Sequence, residues 1–595
     1  MWRGGPSSPA SPRERCGASR ILPRPTSGTP DSAWTPPCWF PRRARVAVEG
    51  WTGRCPSGAL ATSRAAPHPP RATRRTSQVR FFLLLGADVD ALAQAVPVRA
   101  PRRSLLASAR PLILARLLTA GLTFCIPLAL ARILDLSGYG TYKQALLIAQ
   151  TLYYVLPFGV AQGLYFFLPR TERPRPYLGQ TLLYLACAGG VAALLLGLFL
   201  APLASAFSNP DLLAHRVPLS LYVLGVLGAF PLEASLTARG RTGAAAIAYL
   251  VSDAVRTAAM LVPIALGLGL NGLLWGLAGF ALARMAVAWA LFAARGGAGP
   301  LLDGAAFRAQ VRYALPFGLS VLLTMVAQYG HQFAVSAAVT PEAFAFYAVA
   351  CFQLPLVDLL YTPVSEVLMV RLGELERTGH VDEAVAAFRD TVARLATWFF
   401  PLAMLLFACA PEFITVLFGA RFLPAVPLFR LTVLGTALSC LPVDAVLRGL
   451  NHNPALLRAA LLKALVAMAL LVPGLWVLGV TGALASVALT ELFGASWLLW
   501  QVRRALRVSA WGALLPGDAL VRRAVASVGA ALPCLGAHVA LAPRLAVLPS
   551  GWLWRVLPLG AGGLLFTAAY LALLGRLGVS VREVLGGASP AGGGT

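Results

Sequence analysis

Apolar segments about 20 residues long recur along the chain from about residue 105 to its C-terminus, and each is long enough to cross the roughly 30 Å hydrocarbon core of a bilayer as a helix. Charged residues make up only 12% of the chain, and its mean hydropathy is +0.71. Soluble domains carry about twice that share of charge. The sequence therefore predicts an all-α polytopic membrane protein. We expect about 14 transmembrane helices, at residues 112–134, 144–168, 178–201, 216–238, 243–268, 271–293, 315–338, 344–370, 393–418, 424–447, 456–478, 480–502, 523–543 and 553–575.

Basic residues give the chain a net charge of +26, which by itself would suit a nucleic-acid-binding protein. However, 17 of the 50 lysines and arginines precede residue 105, in an Arg- and Pro-rich arm without helical or strand periodicity. We predict that residues 1–104 are disordered. An alternative hypothesis is that translation starts later, near residues 79–98. The other basic residues separate the apolar segments, so we expect no nucleic-acid partner.

The basic residues outside the arm concentrate in alternate loops. The loops after the second, fourth, sixth, eighth, tenth and twelfth predicted spans, together with the C-terminal tail, hold 21 of them, and the opposite loops hold 6. Basic loops remain on the cytoplasmic side of a membrane. The sequence therefore predicts a multi-pass membrane protein with both termini in the cytoplasm.

Two stretches of the chain carry the same ordered set of short motifs. The copies are Tyr139-Gly-Thr-Tyr142, Val217-Pro-Leu219, Val223-Leu-Gly225, Pro231-Leu-Glu233-Ala234 and Arg239-Gly240, and Phe344-Ala-Phe-Tyr347, Val426-Pro-Leu428, Val433-Leu-Gly435, Pro442-Val-Asp444-Ala445 and Arg448-Gly449. Their offset, 205 residues from Tyr139 to Phe344 and 211 from Pro231 to Pro442, is too long for a solenoid. Six predicted spans separate the copies, so both would cross the membrane in the same direction, as in the parallel repeats of transporters.

The repeat predicts two six-helix lobes, related by a parallel repeat, that face each other across a central cavity, with two C-terminal helices appended. We expect an N-terminal lobe over residues 105–300 and a C-terminal lobe over residues 301–508. The appended helices would fall within residues 509–580, and residues 581–595 would form a flexible tail.

A further set of short motifs, part of which overlaps the repeat, also follows a fixed order along the chain. They include Ala131-Arg-Ile-Leu134, Ser137-Gly-Tyr-Gly-Thr-Tyr142, Tyr313-Ala-Leu-Pro-Phe-Gly318, Phe346-Tyr347, Ala410-Pro-Glu-Phe-Ile414 and Leu417-Phe-Gly419. In this order they resemble the signature of polysaccharide-biosynthesis flippases, which belong to the MATE-like MOP superfamily. The resemblance covers residues 105–505 and implies alternating access, with export of an undecaprenyl-diphosphate-linked oligosaccharide to the periplasmic face for O-antigen or exopolysaccharide assembly. It also implies H⁺ or Na⁺ as coupling ion and contact with a polysaccharide polymerase or glycosyltransferases.

Polar side chains inside predicted spans are costly, so they mark candidate sites. A lipid diphosphate needs permanently cationic donors, and sugar hydroxyls need hydrogen-bonding side chains. Our candidates for a substrate-binding cavity are Arg116, Thr119, Thr123, Arg256, Arg284, Gln328, His331, Gln332 and Lys463. For each the alternative is structural: Arg116 would snorkel to the membrane surface, for example, and the stripe at Gln328, His331 and Gln332 would form an interhelical hydrogen-bond cluster.

Carboxylates within the spans give candidates for two other roles. Asp253 and Asp358 are the candidates for ion coupling. The alternative for Asp253 is an ion pair with Arg256, three residues later on the same helix, and the alternative for Asp358 is a salt bridge to an arginine on a neighbouring span. The repeated pairs Pro231/Glu233 and Pro442/Asp444 are candidates for a hinge or gate, since proline frees a carbonyl inside a helix and permits a kink. The alternative there is a structural pair at a helix end, in which the acid contacts Arg239 or Arg448.

Two other functions fit part of the sequence. A MATE-type exporter of drugs or other small molecules would have the same architecture, although those proteins move cationic compounds, which a basic cavity repels. A membrane glycan polymerase or ligase would place catalytic residues in sizeable loops, and the loops here are short. The nine cysteines form no CxxC pair and the chain has no P-loop, so we expect a transporter with no metal, no organic cofactor and no enzymatic activity.

Overall fold

The computed structural model describes residues 118, 121, 123–239, 241–295, 299–352, 354–450, 452–545 and 552–579. The predicted arm, the tail after residue 580, and the candidates Arg116 and Thr119 lie outside these residues. Throughout the described part of the chain the regular secondary structure is helical.

Eight helices form what we call the N-terminal half of the structure. They are α1 (Thr123–Ile133), α2 (Leu136–Val155), α3 (Val160–Phe167), α4 (Pro174–Ala206), α5 (Arg216–Gly228), α6 (Pro231–Ala238), α7 (Thr242–Ala265) and α8 (Gly269–Arg295). Proline or glycine stands at several starts and breaks because these residues tolerate backbone that a helix interior does not: Pro174 and Pro231 occupy first-turn positions, and Gly159, with φ 76°, precedes α3.

Eight more helices form what we call the C-terminal half. They are α9 (Gly304–Ala338), α10 (Pro341–Ala350), α11 (Pro355–Thr378), α12 (Val381–Ala408), α13 (Ala410–Leu417), α14 (Val426–Leu434), α15 (Val443–Gly449) and α16 (Asn453–Ala505). The short helix α17 (Trp511–Leu514) then leads to two appended helices, α18 (Gly517–Leu545) and α19 (Trp552–Arg576), which pack on each other and on α12 and α13.

Eleven helices in the described ranges are long and apolar enough to cross a membrane, or twelve if the bent pair α2 and α3 is one span. This confirms the predicted all-helical, multi-pass membrane architecture, with about 11–12 candidate spans in the described ranges where the sequence analysis expects about 14. The count treats residues 454–505 as one span although Gly479 breaks α16 with φ 59° and ψ −141°, a conformation that favours glycine. Of the predicted span 112–134, the described residues include the short helix α1.

The two motif copies fold into the same order of elements. In the first, a 3₁₀ turn (Pro210–His215) leads into α5, the helix breaks before Pro231, and α6 follows. In the second, a 3₁₀ turn (Ala420–Ala425) leads into α14, the chain breaks at Pro442, and α15 follows. The first motif of each copy is also placed alike. Asp135 caps α2, which contains Tyr139–Tyr142, and Thr340 caps α10, which contains Phe344–Tyr347, each through a side-chain oxygen.

The two halves meet in one buried core at what we call the closed end of the bundle. Tyr139 from α2, Phe418 and Phe422 from the segment after α13, and Ala345 from α10 are completely buried there. Helices α2 and α10 cross so closely that a side chain on Gly140 would place its Cβ 1.9 Å from the Pro341 carbonyl oxygen. This core leaves the two halves in close contact at that end.

At the opposite end, which we call the arginine-rich end, α9 joins the N-terminal half. The Tyr313 ring stacks on Phe166 at 4.8 Å, and Gln310 donates a hydrogen bond to the Thr181 hydroxyl at 3.1 Å. Because α9 also packs along α16, it connects the two halves over its full length.

Candidate functional site

The most buried ion pair of the candidate residues lies in the N-terminal half. Arg284 on α8 donates to both carboxylate oxygens of Glu233 on α6, each at 2.5 Å, and the side chains are only 18% and 4% exposed. The Ser252 hydroxyl lies 3.5 Å from the same carboxylate. The sequence pattern suggests Arg239 as a partner of Glu233 and gives no sign of Arg284. Glu233 lies in the first turn of α6 and is buried, so its carboxylate is among the neighbouring helices.

A second pair lies beside the first. Arg256 and Asp253, one turn apart on α7, approach to 2.8 Å, and Arg256 also donates to the Thr123 hydroxyl of α1 at 2.9 Å. Arg284 interacts electrostatically with Asp253 as well. The structure therefore brings five predicted residues together, and we call Thr123, Glu233, Asp253, Arg256 and Arg284 the N-terminal polar cluster.

The N-terminal polar cluster keeps unused hydrogen-bond donors. The Nε atoms of Arg256 and Arg284 are both buried, and neither has a hydrogen-bond partner among the residues described. An unpaired buried N–H costs free energy comparable to a lost hydrogen bond. Two cationic groups with free donors, held in fixed positions by Asp253 and Glu233, are suited to an anion with several oxygens.

Aromatic rings connect the N-terminal polar cluster to the contact between the halves. Phe124, next to Thr123, lies 5.5 Å from the Phe352 ring, which precedes α11 in the C-terminal half. Tyr154 on α2 stacks on Tyr329 of α9 at 6.4 Å. The cluster is therefore beside the seam at which the halves would separate.

The corresponding acid of the C-terminal half has different partners. Asp444 on α15 accepts a hydrogen bond from the Tyr361 hydroxyl of α11 and lies 3.5 Å from Arg448 on its own helix. Its side chain is 30% exposed, compared with 4% for Glu233. Asp358, in the first turn of α11, is exposed and contacts no ionic partner within the described ranges.

The predicted polar stripe on α9 does not act as a unit. His331 is buried and its Nδ1 lies 2.6 Å from the Tyr347 hydroxyl of α10. It borders a cavity of about 40 Å³ between α9 and α16. Gln328 is exposed and Gln332 is half-buried. The three residues therefore have three different environments, and His331 belongs to a core contact.

The other candidates among the described residues are Lys463 and the two prolines. The Nζ atom of Lys463 lies 2.7 Å from both carboxylate oxygens of Glu491. This ion pair joins the two segments of α16 on either side of Gly479. Pro231 begins α6 and Pro442 caps α15, and each stands directly after a break in its span. No group of three or more metal-ligating side chains occurs in the part of the chain that the structure describes.

Two arginines that are not among the candidate residues form a reciprocal contact at the closed end. Arg421, after α13, donates to the carbonyls of Ala131 and Leu134 at the end of α1, and Arg132 of α1 donates to the carbonyl of Val416 near the end of α13. Cations at helix C-termini satisfy free carbonyls and complement the helix dipole. We call Arg132 and Arg421 with these carbonyls the arginine clasp.

The arginine clasp has no signal in the sequence, because its acceptors are backbone groups some 290 residues away. Lys143 falls between the first two predicted spans, but its environment in the structure is different. It lies within α2, and its ammonium group sits over the rings of Tyr139 and Tyr142 at 5.5 and 5.9 Å.

The sequence matches a known family. A family profile described as "Polysaccharide biosynthesis protein" (Polysacc_synt_3) matches residues 129–427. The chain belongs to this polysaccharide biosynthesis protein family. The match confirms the resemblance seen in the motifs. It covers the first motif copy completely and, of the second copy, Phe344–Tyr347 and the first residues of Val426-Pro-Leu428. No curated protein sequence matches the chain.

Solved structures place this member of the polysaccharide biosynthesis protein family in a known fold. The lipid II flippase MurJ, in an inward closed conformation, is similar over 79% of this chain and 99% of its own, with a TM-score of 0.54 and 12% sequence identity. An inward-facing multidrug resistance MATE family transporter of the MOP superfamily aligns over 71% of this chain and 99% of its own, with a TM-score of 0.49 and 12% identity. The MurJ likeness shows a MOP-like fold, and at this identity it shows the fold alone.

Proposed function

We propose that the protein flips an undecaprenyl-diphosphate-linked oligosaccharide from the cytoplasmic to the periplasmic leaflet, for assembly of O-antigen or exopolysaccharide. It would work by alternating access between two six-helix lobes, residues 105–300 and 301–508, related by a parallel repeat. Fourteen spans result if the bent pair α2 and α3 counts once, α16 counts twice across Gly479, and a first span contains α1. The last two spans are α18 and α19.

The observation that carries this proposal is the pair of unused buried donors on Arg256 and Arg284. A diphosphate offers several anionic oxygens, and guanidinium groups bind such oxygens in bidentate fashion. Each arginine already has a carboxylate that balances its charge. The substrate would add hydrogen bonds at Nε without requiring either ion pair to form anew, and the cluster's place beside the seam would bring the headgroup between the lobes.

The proposed cycle uses the two ends of the bundle. The arginine-rich end would face the cytoplasm of the inner membrane, as the distribution of basic loops indicates. The closed end, with its arginine clasp, would then be the periplasmic gate. The breaks before Pro231 and at Pro442 would serve as hinges, at which the short helices α6 and α15 tilt as the lobes rock.

The test is a flipping assay with purified protein in liposomes that contain a fluorescent undecaprenyl-diphosphate oligosaccharide. A membrane-impermeant reductant bleaches only the label in the outer leaflet, so flipping converts partial bleaching into complete bleaching. Losing one charge-assisted hydrogen bond of about 1.5–3 kcal/mol would slow flipping by Arg256→Gln about 10- to 150-fold. Arg394→Gln, which removes an exposed pair with Asp390 on α12, is the matched control and should flip normally.

Three results would contradict the proposal. Partial bleaching with the unmodified protein would remove the flippase activity, and a normal rate with Arg256→Gln would remove that arginine from the path. Transport of a cationic dye in place of the lipid-linked glycan would identify a MATE-type exporter.

A further inference from the structure

A polar stripe runs along the face of α2 that is turned to the C-terminal half. Its members, Lys143, Gln150 and Tyr154, are seven and four residues apart and so lie on one helical face. Gln150 is exposed, and Tyr154 is 44% exposed. Both ends of the stripe meet the other half: Lys143 interacts electrostatically with Cys351, and the Tyr154 ring stacks on Tyr329 of α9 with 24° between the ring planes.

The stripe lies near the middle of its span. The bent pair α2 and α3, residues 136–170, counts as one span, and Gln150 and Tyr154 are close to its midpoint. A belt of tyrosines at the membrane surface therefore does not explain Tyr154, and an amide that faced hydrocarbon at this depth would lose its hydrogen bonds to water. Because the stripe meets the opposite half at both ends, its exposed part faces the space between the halves.

Tyrosine rings connect the stripe to the arginines of the N-terminal polar cluster. Tyr153 packs edge-on against Tyr154 at 5.4 Å and interacts electrostatically with Arg284. Tyr222 of α5 interacts electrostatically with Tyr154 and with both Arg256 and Arg284. The exposed ring of Tyr154 is therefore next to the place where a ligand of these arginines would lie.

We propose that Gln150, Tyr154 and Tyr329 form a sugar-binding subsite, which holds the first sugar of the lipid-linked oligosaccharide. This inference rests on the proposed function, because it assigns a part of that substrate which the arginines would not contact. The first sugar is bonded directly to the diphosphate, so a diphosphate held by Arg256 and Arg284 places that sugar beside the N-terminal polar cluster.

The chemistry of the sugar-binding subsite matches a pyranose ring. The face of an aromatic ring is partly negative, and the C–H bonds on the flat side of a pyranose are partly positive, so the two stack. The Gln150 amide and the tyrosine hydroxyls both donate and accept hydrogen bonds, as sugar hydroxyls do. The subsite thus offers an apolar surface with polar groups at its edge, which is the arrangement of small-molecule sites in general.

A cationic ligand suits the sugar-binding subsite less well. Aromatic rings also attract cations, but the neighbouring charges do not support that attraction here. Arg256 and Arg284 each have a carboxylate that balances their charge, so the N-terminal polar cluster contributes no net negative charge. Lys143, on the same stripe, forms no ion pair with a carboxylate of the described residues, and its basic group repels a cation.

Binding is measured with short, water-soluble probes that separate the sugar from the diphosphate. The probes are geranyl diphosphate conjugates of glucose, galactose and N-acetylglucosamine, together with the methyl ester of geranyl diphosphate, which has the same charge and no sugar. Each is titrated by calorimetry into the full-length protein in nanodiscs. We define the sugar effect as the Kd of the methyl ester divided by the Kd of the tightest conjugate, and we expect the unmodified protein to bind at least one conjugate more tightly than the methyl ester.

Three variants test the sugar-binding subsite directly. Tyr154→Leu and Tyr329→Leu each remove a ring and should lower the sugar effect about 2- to 10-fold, while the Kd of the methyl ester stays within about twofold of the unmodified value. Gln150→Leu removes a hydrogen bond and should lower the sugar effect by a similar factor. Because Gln150 is exposed, this variant decides the question if a tyrosine variant does not fold.

Three controls show whether such losses are specific. Tyr154→Phe keeps the ring and should retain most of the sugar effect. Phe199→Leu is the matched aromatic change on the exposed apolar face of α4, where Phe199 is 60% exposed beside Leu195 and Leu198, and it should bind every probe normally. Arg256→Gln should weaken the binding of the methyl ester and of the conjugates by the same factor, because all of them carry the diphosphate.

The outcomes separate this inference from the proposed function. If no conjugate binds more tightly than the methyl ester, or if the three leucine variants keep the full sugar effect, the sugar-binding subsite is refuted even when the lipid-linked oligosaccharide is flipped. If the sugar effect depends on Gln150 and Tyr154 but no flipping occurs, the subsite stands and the flippase proposal fails. Binding of the cation tetraphenylphosphonium that Tyr154→Leu and Tyr329→Leu both weaken would identify a cation site and overturn the inference.

Discussion

The ion pair between Glu233 and Arg284 allows the sharpest prediction about stability. Its side chains are 4% and 18% exposed, so neither charge is solvated when its partner is lost. Breaking a buried pair by removing one partner costs about 3–5 kcal/mol, because an uncompensated charge remains. We expect Glu233→Gln to have an effect of this size, toward the lower end if Asp253 compensates part of the charge of Arg284.

The measurement is the apparent unfolding midpoint in detergent at a fixed scan rate. If the N-terminal half, residues 123–295, unfolds as one unit, a loss of 3–5 kcal/mol at about 2–4 °C per kcal/mol lowers the midpoint by about 6–20 °C. A double-mutant cycle with Arg284→Met tests the cause. Because the double variant leaves no unpaired charge, it should be more stable than the sum of the single effects by about 2 kcal/mol or more.

The exposed acid Glu374 supplies the control, and Glu374→Gln should change stability by no more than about 0.5 kcal/mol. An unfolding midpoint for Glu233→Gln within about 2 °C of that of the unmodified protein would refute the reasoning. A buried, unpaired guanidinium should lower the free energy of unfolding by more than such a small shift corresponds to. Additive single effects in the cycle would refute it in another way, because they would mean that the two groups do not interact.

Three further predictions concern other contacts. Arg421→Gln removes one side of the arginine clasp. It should lengthen the distance between spin labels at Leu213 and Leu423, two exposed positions in the 3₁₀ turns of the closed end. An unchanged distance would show that the clasp does not hold the halves together. Lys463→Met should change the flipping rate by less than about twofold, since Glu491 occupies its ammonium group, whereas a tenfold loss would place it in the substrate path. Gly140→Ala should destabilise the protein by about 1–3 kcal/mol or more, because the added Cβ would lie 1.9 Å from the Pro341 carbonyl oxygen. Gly190→Ala, whose Cβ would have nothing within 4 Å, is the control and should be neutral or stabilising. Equal effects of the two variants would contradict the close crossing of α2 and α10.

The sequence by itself determined the helical, multi-pass architecture and the family. Segment length and apolar composition are local properties, and a bilayer accepts few alternatives to helices, so spans can be read directly. The repeated motifs also located the breaks before Pro231 and at Pro442, because proline acts on its own backbone. Helical spacing further identified Asp253 with Arg256 as a pair, since residues three apart lie on one face.

The partners of the other polar groups were decided only by the tertiary structure. Glu233 and Asp444 occupy equivalent positions in the repeat, yet one binds Arg284 on another helix and the other binds Tyr361 and Arg448. The arginine clasp and the stack of Tyr154 on Tyr329 join residues that are far apart in the sequence. A spacing of residues defines a face of one helix, but the rotation of that helix against its neighbours depends on packing along the whole bundle, which no local pattern encodes.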